Sequence, residues 1–305
     1  MDWLLIAILA PLLWAITNFI DKFLISKYFK SGVGTLIIYS AMIGLPIAFL
    51  IAIFKPDVLY LNFTTAILII LNSFLYILYL FPYFKALNKA DASIVVPIFQ
   101  TIPVFSFFLA FFVLGEVLSK IQIIGSILIV SSAIGISINL ENKKISLKGD
   151  ILLLQLAASF IVALNYLFFK FFAINLNFWT VSFWQYLGFF IFGLILLIFI
   201  KSYRKDFFLS FRVNSKKILG LNGLNEILNI VATIIFTFAT LLAPITLVFV
   251  INGFQPLFVF LIGIFLTLVS PVLIKENLEK RIIIQKIFFI VLMLLGAYLL
   301  NLNIL

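Results

Sequence analysis

The sequence predicts an all-α integral membrane protein with ten transmembrane helices, arranged as two inverted five-helix repeats. Composition indicates the fold class: 65% of the 305 residues are hydrophobic and 10% are charged, whereas a water-soluble chain carries roughly 25% charged residues. Several apolar runs also exceed the ~18 residues that mark a membrane-spanning helix. An internal duplication indicates the two repeats, because self-similarity within a chain is typical of repeated structural units.

Ten apolar runs are long enough to cross a bilayer. They are apolar on every face and lack a period-two alternation, so we expect helices and not strands. The first run is interpreted as a span and not as a signal peptide, because Asp2 precedes it and no basic segment does. The predicted spans are residues 3–21, 34–54, 64–84, 92–114, 121–139, 151–173, 178–200, 217–240, 244–268 and 282–302.

The duplication is visible in two proline-broken stretches, residues 90–116 and 243–276. An offset of 153 positions aligns them and also relates spans 3 and 8. Offsets of 147 and 145 relate spans 1 and 6 and spans 2 and 7. The aligned pairs include Pro103 with Pro256, Asn72 with Asn225, Tyr76 with Asn229, Asn18 with Asn165, and Ser40 with Gln185.

The polar segment 141–150 divides the chain into its two repeats. Residues 1–140 form the first repeat with spans 1–5, and residues 151–305 form the second with spans 6–10. Because five is an odd number, the second repeat inserts upside down relative to the first. Many secondary transporters have this arrangement, with a binding site near the midplane where the repeats meet.

Basic residues are concentrated on one side of the predicted bundle. Of the 21 lysines and arginines, eighteen border the connections after odd-numbered spans and three border the other side. The positive-inside rule then predicts cytoplasmic odd connections and external termini. The net charge of +10 lies in short loops, not on a basic face with interleaved aromatic residues, so nucleic-acid binding is not predicted.

The chain contains no cysteine and no histidine. This excludes disulfides, thiol nucleophiles, zinc sites of Cys or His, and a His-based triad. The sequence also has no phosphate-binding glycine loop, so an ATP-driven pump is not predicted. We therefore predict no catalytic residue, no metal site, no cofactor and no enzymatic activity.

Span 8 carries a polar stripe at spacings of three and four residues, which puts these side chains on one face of a helix. A stripe of this kind must face protein or water and not lipid. We interpret it as the lining of a transport pathway, with a helix-packing face as the alternative. Glu226 is the candidate for proton coupling or for pairing a cationic substrate, unless the helix starts later and Glu226 lies in its first turn.

The other candidates are polar or aromatic residues of several spans. Three amides lie near the prolines of spans 4 and 9, where a broken helix frees backbone carbonyls. Lys22 and Lys170 are interpreted as snorkelling to the membrane interface. The predicted pathway residues are Trp14, Asn18, Asn72, Tyr76, Gln100, Trp184, Asn225, Glu226, Asn229, Asn252 and Gln255.

Short motifs in order along the chain resemble the drug/metabolite transporter superfamily, in its EamA-like ten-helix branch. The motifs are residues 14–19 with Lys22, residues 115–119 with Gln122 and Gly125, residues 149–152, and the prolines Pro103 and Pro256. The resemblance implies an inner-membrane carrier in which spans 1–4 and 6–9 surround a cavity. It also implies that Trp14 and Asn18 line this cavity and that Glu116 closes span 4.

The chain departs from this family at three points. The Gly-Glu ending of span 4 is lost in the second half, and no tryptophan precedes Asn165 as Trp14 precedes Asn18. Members of this branch also keep both termini in the cytoplasm, the reverse of the charge-based prediction.

The sequence thus predicts a multi-pass protein of the cell inner membrane that transports a small, amino-acid-like metabolite. It would act as an exporter, by alternating access between two repeats, with proton coupling, as a monomer or homodimer in the lipid bilayer. The alternatives are a multidrug efflux carrier and a non-transporting membrane scaffold. A membrane enzyme for lipid-linked substrates is disfavoured because the acidic residues are dispersed.

Overall fold

A computed structural model describes residues 3–27, 33–89, 98–137, 149–213, 216–269 and 279–301. In these ranges every regular element is helical. Pro97 and Glu276, which belong to the duplicated stretches, lie outside the described residues. The α-helices are α1 Trp3–Lys27, α2 Val33–Met42, α3 Gly44–Phe54, α4 Phe63–Lys89, α5 Ile102–Leu114, α6 Lys120–Ser137, α7 Gly149–Asn175, α8 Phe178–Phe199, α9 Lys201–Val213, α10 Lys216–Leu242, α11 Ile245–Asn252, α12 Gln255–Val269 and α13 Lys280–Asn301.

Eight of the ten predicted spans are helices long and apolar enough to cross a membrane. The other two, spans 4 and 5, are shorter apolar helices at Phe99–Leu114 and Lys120–Ile136. Each of these two adjoins a part of the chain that the structure does not describe. The protein is therefore an all-helical, multi-pass membrane protein.

Two predicted spans are interrupted where proline removes a backbone hydrogen bond. Span 2 is split at Ile43, between α2 and α3, because Pro46 cannot donate to the carbonyl of Met42. Span 9 is split at Gly253-Phe254, directly before Pro256. In span 4 a short 3-10 helix, Phe99–Thr101, precedes α5.

The helices pack in a few close pairs. α1 packs along α10, α4 along α7, and α6 along α13, while α8 packs on α2 and α3 and α5 packs on α11. The residues of α11 from Ile245 to Ile251 are all buried, so this half-span lies in the core of the bundle.

The α6–α13 pair lies at the edge of the bundle. A Cβ on Gly296 would lie 2.8 Å from the carbonyl oxygen of Gly125, so glycine permits this close approach. The outer face of α13 exposes large apolar residues such as Phe288 and Leu295, as expected for a helix against lipid. Ser131 of α6 is also exposed.

Candidate functional site

A pocket lies between α2, α4, α8 and α10. Its wall is polar on the α2 and α10 side and aromatic on the α4 and α8 side. The lining residues are Ser40, Ile43, Tyr76, Tyr186, Phe189, Glu226, Asn229, Ile230 and Thr233.

Glu226 is the acidic residue of this pocket. α10 begins at Lys216, so Glu226 lies about 15 Å along the helix at 1.5 Å per residue. Its side chain is 6% exposed, and the hydroxyl of Ser40 donates to its Oε1 at 2.7 Å. The alternative in which Glu226 occupies the first turn of the helix is therefore wrong.

Asn229 connects the pocket to α1. The indole Nε1 of Trp14 donates to its Oδ1 at 2.9 Å, and the Trp14 ring lies 5.3 Å from the ring of Phe236. Trp14 does not line the pocket itself, so it acts on the pocket through the orientation of Asn229.

Predicted span 8 is α10, and the C-terminal part of its polar stripe forms hydrogen bonds within the helix itself. Thr233, Thr237 and Thr240 each donate to a carbonyl one turn earlier in α10. Of these three, only Thr233 lines the pocket. The stripe is thus divided between a pocket-lining half and a self-bonded half.

Tyrosine and phenylalanine rings form the wall opposite Glu226. Tyr76 and Phe189 have ring centroids 4.9 Å apart, and Tyr186 meets Phe189 edge-on at 5.6 Å. The ring of Tyr79 meets the ring of Tyr76 edge-on, with centroids 5.2 Å apart. Such rings offer a flat apolar surface with hydroxyl groups at its edge.

Sequence reasoning missed five lining residues: Ser40, Ile43, Tyr186, Phe189 and Ile230. The alignment of Ser40 with Gln185 gave a signal for the first. Nothing singled out the two aromatic residues among 38 phenylalanines and 10 tyrosines.

Asn72 lies outside the pocket, in a buried polar cluster between α4, α7 and α8. Its Nδ2 donates to the carbonyl of Asn165 at 3.1 Å, and the Nδ2 of Asn165 donates back to the Asn72 carbonyl at 2.9 Å. Next to it, the Ser73 hydroxyl donates to the Gln185 carbonyl at 3.0 Å. These bonds hold the three helices together.

The structure places the remaining predicted residues away from the pocket. Asn18 is exposed, and Asn225 is buried without lining the pocket. The indole of Trp184 donates to the carbonyl of Val58 at 3.0 Å, which fixes the connection between α3 and α4. Gln100 lies against Gly253, where the start of α5 crosses the end of α11. The last two predicted amides, Asn252 and Gln255, flank Gly253 in the sequence.

A buried ion pair closes the bundle at the end of the even-numbered connections. Lys170 of α7 pairs with Glu116 and donates to the Ala243 carbonyl at 2.7 Å. The backbone N–H of Ile245 donates to Glu116 Oε2 at 2.8 Å. Lys170 is 5% exposed, so the prediction that it snorkels to the interface is wrong.

The turn that presents Glu116 depends on its neighbour. Gly115 has a φ of 67°, the left-handed conformation that glycine adopts without strain at the end of a helix. This conformation ends α5 and directs Glu116 back toward α7 and α11.

Comparison with known proteins identifies the first half of the sequence. Residues 1–138 match the EamA-like transporter family. The match confirms the resemblance carried by the motifs of spans 1 and 5, and it indicates a membrane transporter of the drug/metabolite type.

The chain also shares its fold with a protein of known crystal structure. The two are 15% identical, the alignment covers 98% of this chain and 96% of the other, and the TM-score is 0.72. At this identity the likeness shows the fold alone, and it extends over both halves. A comparison with curated proteins gives no match.

The described residues contain no cluster of three or more His, Cys, Asp or Glu side chains that could hold a metal ion. The pocket lining consists of a carboxylate, neutral polar groups, aromatic rings and two isoleucines.

Proposed function

We propose that the protein is a secondary active transporter that exports a small, amino-acid-like metabolite by alternating access. Its ten spans form two inverted repeats, residues 1–140 and 151–305, in the cell inner membrane. The pocket between α2, α4, α8 and α10 is the substrate site.

The pattern of helix pairs supports the two repeats. When the spans of one half are exchanged for those of the other, the α1–α10 pair becomes the α7–α4 pair. The contact of α5 with α7 likewise becomes the contact of α1 with α11 and α12. The α2/α3–α8, α5–α11 and α6–α13 pairs map onto themselves, and all of these contacts are present.

One break in this symmetry carries the proposal. α4 packs closely along α8, whereas its counterpart α10 makes at most isolated backbone approaches to α2 and α3 within the described chain. The pocket lies in this wider spacing, which the hydrogen bond from Ser40 to Glu226 spans. A carrier caught in one of its two states has this asymmetry, with one half of the pathway packed and the other half open.

The two ends of the bundle also differ in how closely their helices are held together. The pair of Lys170 and Glu116 closes the end with the even-numbered connections. The gap between α2 and α10 lies toward the end where both helices begin, with the odd-numbered connections. We infer a state that is open to the odd, basic side, the cytoplasm according to the charge bias, as an exporter loading its substrate would be.

The pocket suits a substrate with both a polar and an apolar part. Glu226, Ser40 and Asn229 offer a carboxylate, a hydroxyl and an amide, and Tyr76, Tyr186 and Phe189 offer rings. An amino group would meet the first set and a side chain the second. Aromatic walls are also typical of sites for larger drug-like molecules, so multidrug efflux is the second candidate.

The test uses purified protein in liposomes with a panel of amino acids and an imposed pH gradient. Glu226→Gln keeps the shape of the site and removes its charge, so gradient-driven accumulation should fall by at least about tenfold while exchange without a gradient persists. Glu279→Gln, at an exposed carboxylate before α13, is the matched control and should transport normally.

Each outcome has a defined meaning. Full pH-driven accumulation by Glu226→Gln would remove Glu226 from the coupling mechanism. Accumulation of cationic dyes in place of amino acids would establish the multidrug alternative. Absence of transport for every compound and gradient would reject the carrier and favour a scaffold.

A further inference from the structure

Helix α9, Lys201–Val213, is too short and too polar to be a membrane span. Ile200 adopts an extended conformation, with φ −103° and ψ 94°, so α9 is a separate helix and not a continuation of α8. Its ends connect to α8 and α10, which leave the bilayer at the same end of the bundle. α9, about 20 Å long, is therefore held at the membrane surface.

The inner face of α9 is attached to the transport bundle. The ring of Phe207 is buried and lies 4.8 Å from the ring of Tyr39 in α2. The guanidinium of Arg204 donates to the carbonyl of Ile198 at the end of α8, at 3.2 Å. These contacts fix which face of α9 points away from the bundle.

The outer face carries cations and apolar side chains together. Phe208 is 53% exposed and Leu209 is 47% exposed, next to the exposed ammonium groups of Lys201 and Lys205. Lys201, Lys205 and Leu209 follow one another at intervals of four residues, so they form one row on the helix. Exposed rings and leucines are costly in water and stable at the boundary of headgroups and acyl chains.

We propose that the outer face of α9 binds anionic phospholipids in the leaflet that it borders. Lys201 and Lys205 pair with headgroup phosphates, and Phe208 and Leu209 enter the acyl boundary. Charge complementarity selects this partner, because a basic helix with exposed apolar residues at the membrane surface matches an anionic leaflet. The positive-inside rule assigns this side to the cytoplasm, where anionic lipids attract basic segments.

Binding at this face would act next to the pocket. Tyr39, which packs on α9, precedes Ser40, whose hydroxyl bonds to Glu226. The lipid site is nevertheless independent of the transport proposal, because it is defined by the outer face of α9 and by the contacts that orient this helix.

The absence of cysteine from the chain permits a clean spectroscopic test. Leu209→Cys in the full-length protein gives a unique site for a nitroxide spin label. The depth of the label is measured from its relaxation by oxygen and by a water-soluble nickel complex, in nanodiscs of phosphatidylcholine with or without phosphatidylglycerol.

The expected result is a label about 5–10 Å below the phosphates when phosphatidylglycerol is present, and a shallower one without it. Lys201→Gln with Lys205→Gln should remove at least about half of that difference, as should high salt, because both weaken attraction to the headgroups. A label at Tyr60→Cys, exposed on the opposite connection, is the control and should not respond to the lipid.

Equal depths in the two lipid mixtures would overturn the proposal, since hydrophobic contact alone would then position α9. A difference that survives the lysine substitutions would overturn it as well. A label that stays in water in both mixtures would reject a lipid partner and indicate a soluble protein partner. Thermal unfolding of each variant confirms that it is folded before its label is measured.

Discussion

The contact between α4 and α8 and the gap between α2 and α10 are built from positions that the repeat offsets make equivalent. The offset of 153 relates Ser73 to Glu226, and the offset of 145 relates Ile43 to Gly188. A Cβ on Gly188 would lie 2.7 Å from the Cβ of Ser73, so these two helices meet at small residues. On the other side, isoleucine and glutamate take the same places and line the pocket. Side-chain bulk thus separates the packed half from the open half.

The polar clusters of the two halves differ in the same way. Asn72 and Asn165 exchange hydrogen bonds between α4 and α7. Their counterparts by offset are Asn225 and Asn18, and Asn18 is exposed. The comparison indicates that an amide pair joins α4 to α7, whereas Asn18, the counterpart of Asn165, lies at the surface.

Exchanging the residues at the equivalent positions 73 and 226 should have the largest effect on the stability of the protein. Ser73→Glu places a carboxylate in a fully buried site without a cationic partner in the described surroundings, at a cost of about 3–5 kcal/mol. Glu226→Ser, the reverse exchange, removes a side chain that borders a pocket and should cost less. Unfolding of both proteins in an SDS titration measures the difference.

Equal losses in the two variants would contradict the idea that the packed half is the intolerant one. Ser73→Gln, which adds the same bulk without charge, separates the steric part of the effect. It also provides a folded variant if the glutamate protein does not accumulate.

Adding bulk at Gly188 should have an intermediate effect. Gly188→Leu forces α8 away from α4, and overpacking of this kind costs about 1–3 kcal/mol. The matched control is Gly220→Leu in α10, because a side chain there meets no neighbour. The same SDS titration should show a shift for the first variant and little or none for the second; a shared shift would indicate a general effect of leucine in these helices.

Removing the bond between α1 and α10 should have the smallest effect. Trp14→Phe keeps an aromatic ring against Phe236 but loses the hydrogen bond to Asn229, at about 0.5–1.5 kcal/mol. Because Asn229 lines the pocket, we expect a several-fold rise in the substrate KM with a nearly unchanged maximal rate. An unchanged KM would indicate that Trp14 only packs.

Much of the fold could be predicted because the membrane constrains a chain more strongly than water does. Apolar runs such as 178–200 must be helices, since lipid offers no partner for backbone groups, and α8 covers almost this range. The breaks at Pro46 and Pro256 follow from the chemistry of proline. The polar connection between spans 7 and 8 has the apolar residues of a short surface segment in its sequence, but its attachment as the separate helix α9 depends on contacts with α2 and α8.

The candidate site was predicted less completely. Glu226, Asn229 and Tyr76 stood out as polar or hydroxyl-bearing groups within apolar runs, and they do line the pocket. Trp184 and Gln100 stood out in the same way but do not line the pocket. Trp184 donates to the carbonyl of Val58 in a connection, and Gln100 packs next to Gly253. Polarity within a span indicates that a side chain faces protein or water, and it does not indicate which of the two.

By itself, then, the sequence determined that this protein lies in a membrane, where its helices are, and which positions are equivalent, such as Ser73 and Glu226. These follow from composition, hydrogen-bonding need and spacing, which are local properties. The tertiary structure decided that Lys170 pairs with Glu116, and that Gly188 meets Ser73 while Ile43 lines a pocket. Those outcomes depend on distances between helices, which side-chain volumes set only once the whole bundle has packed.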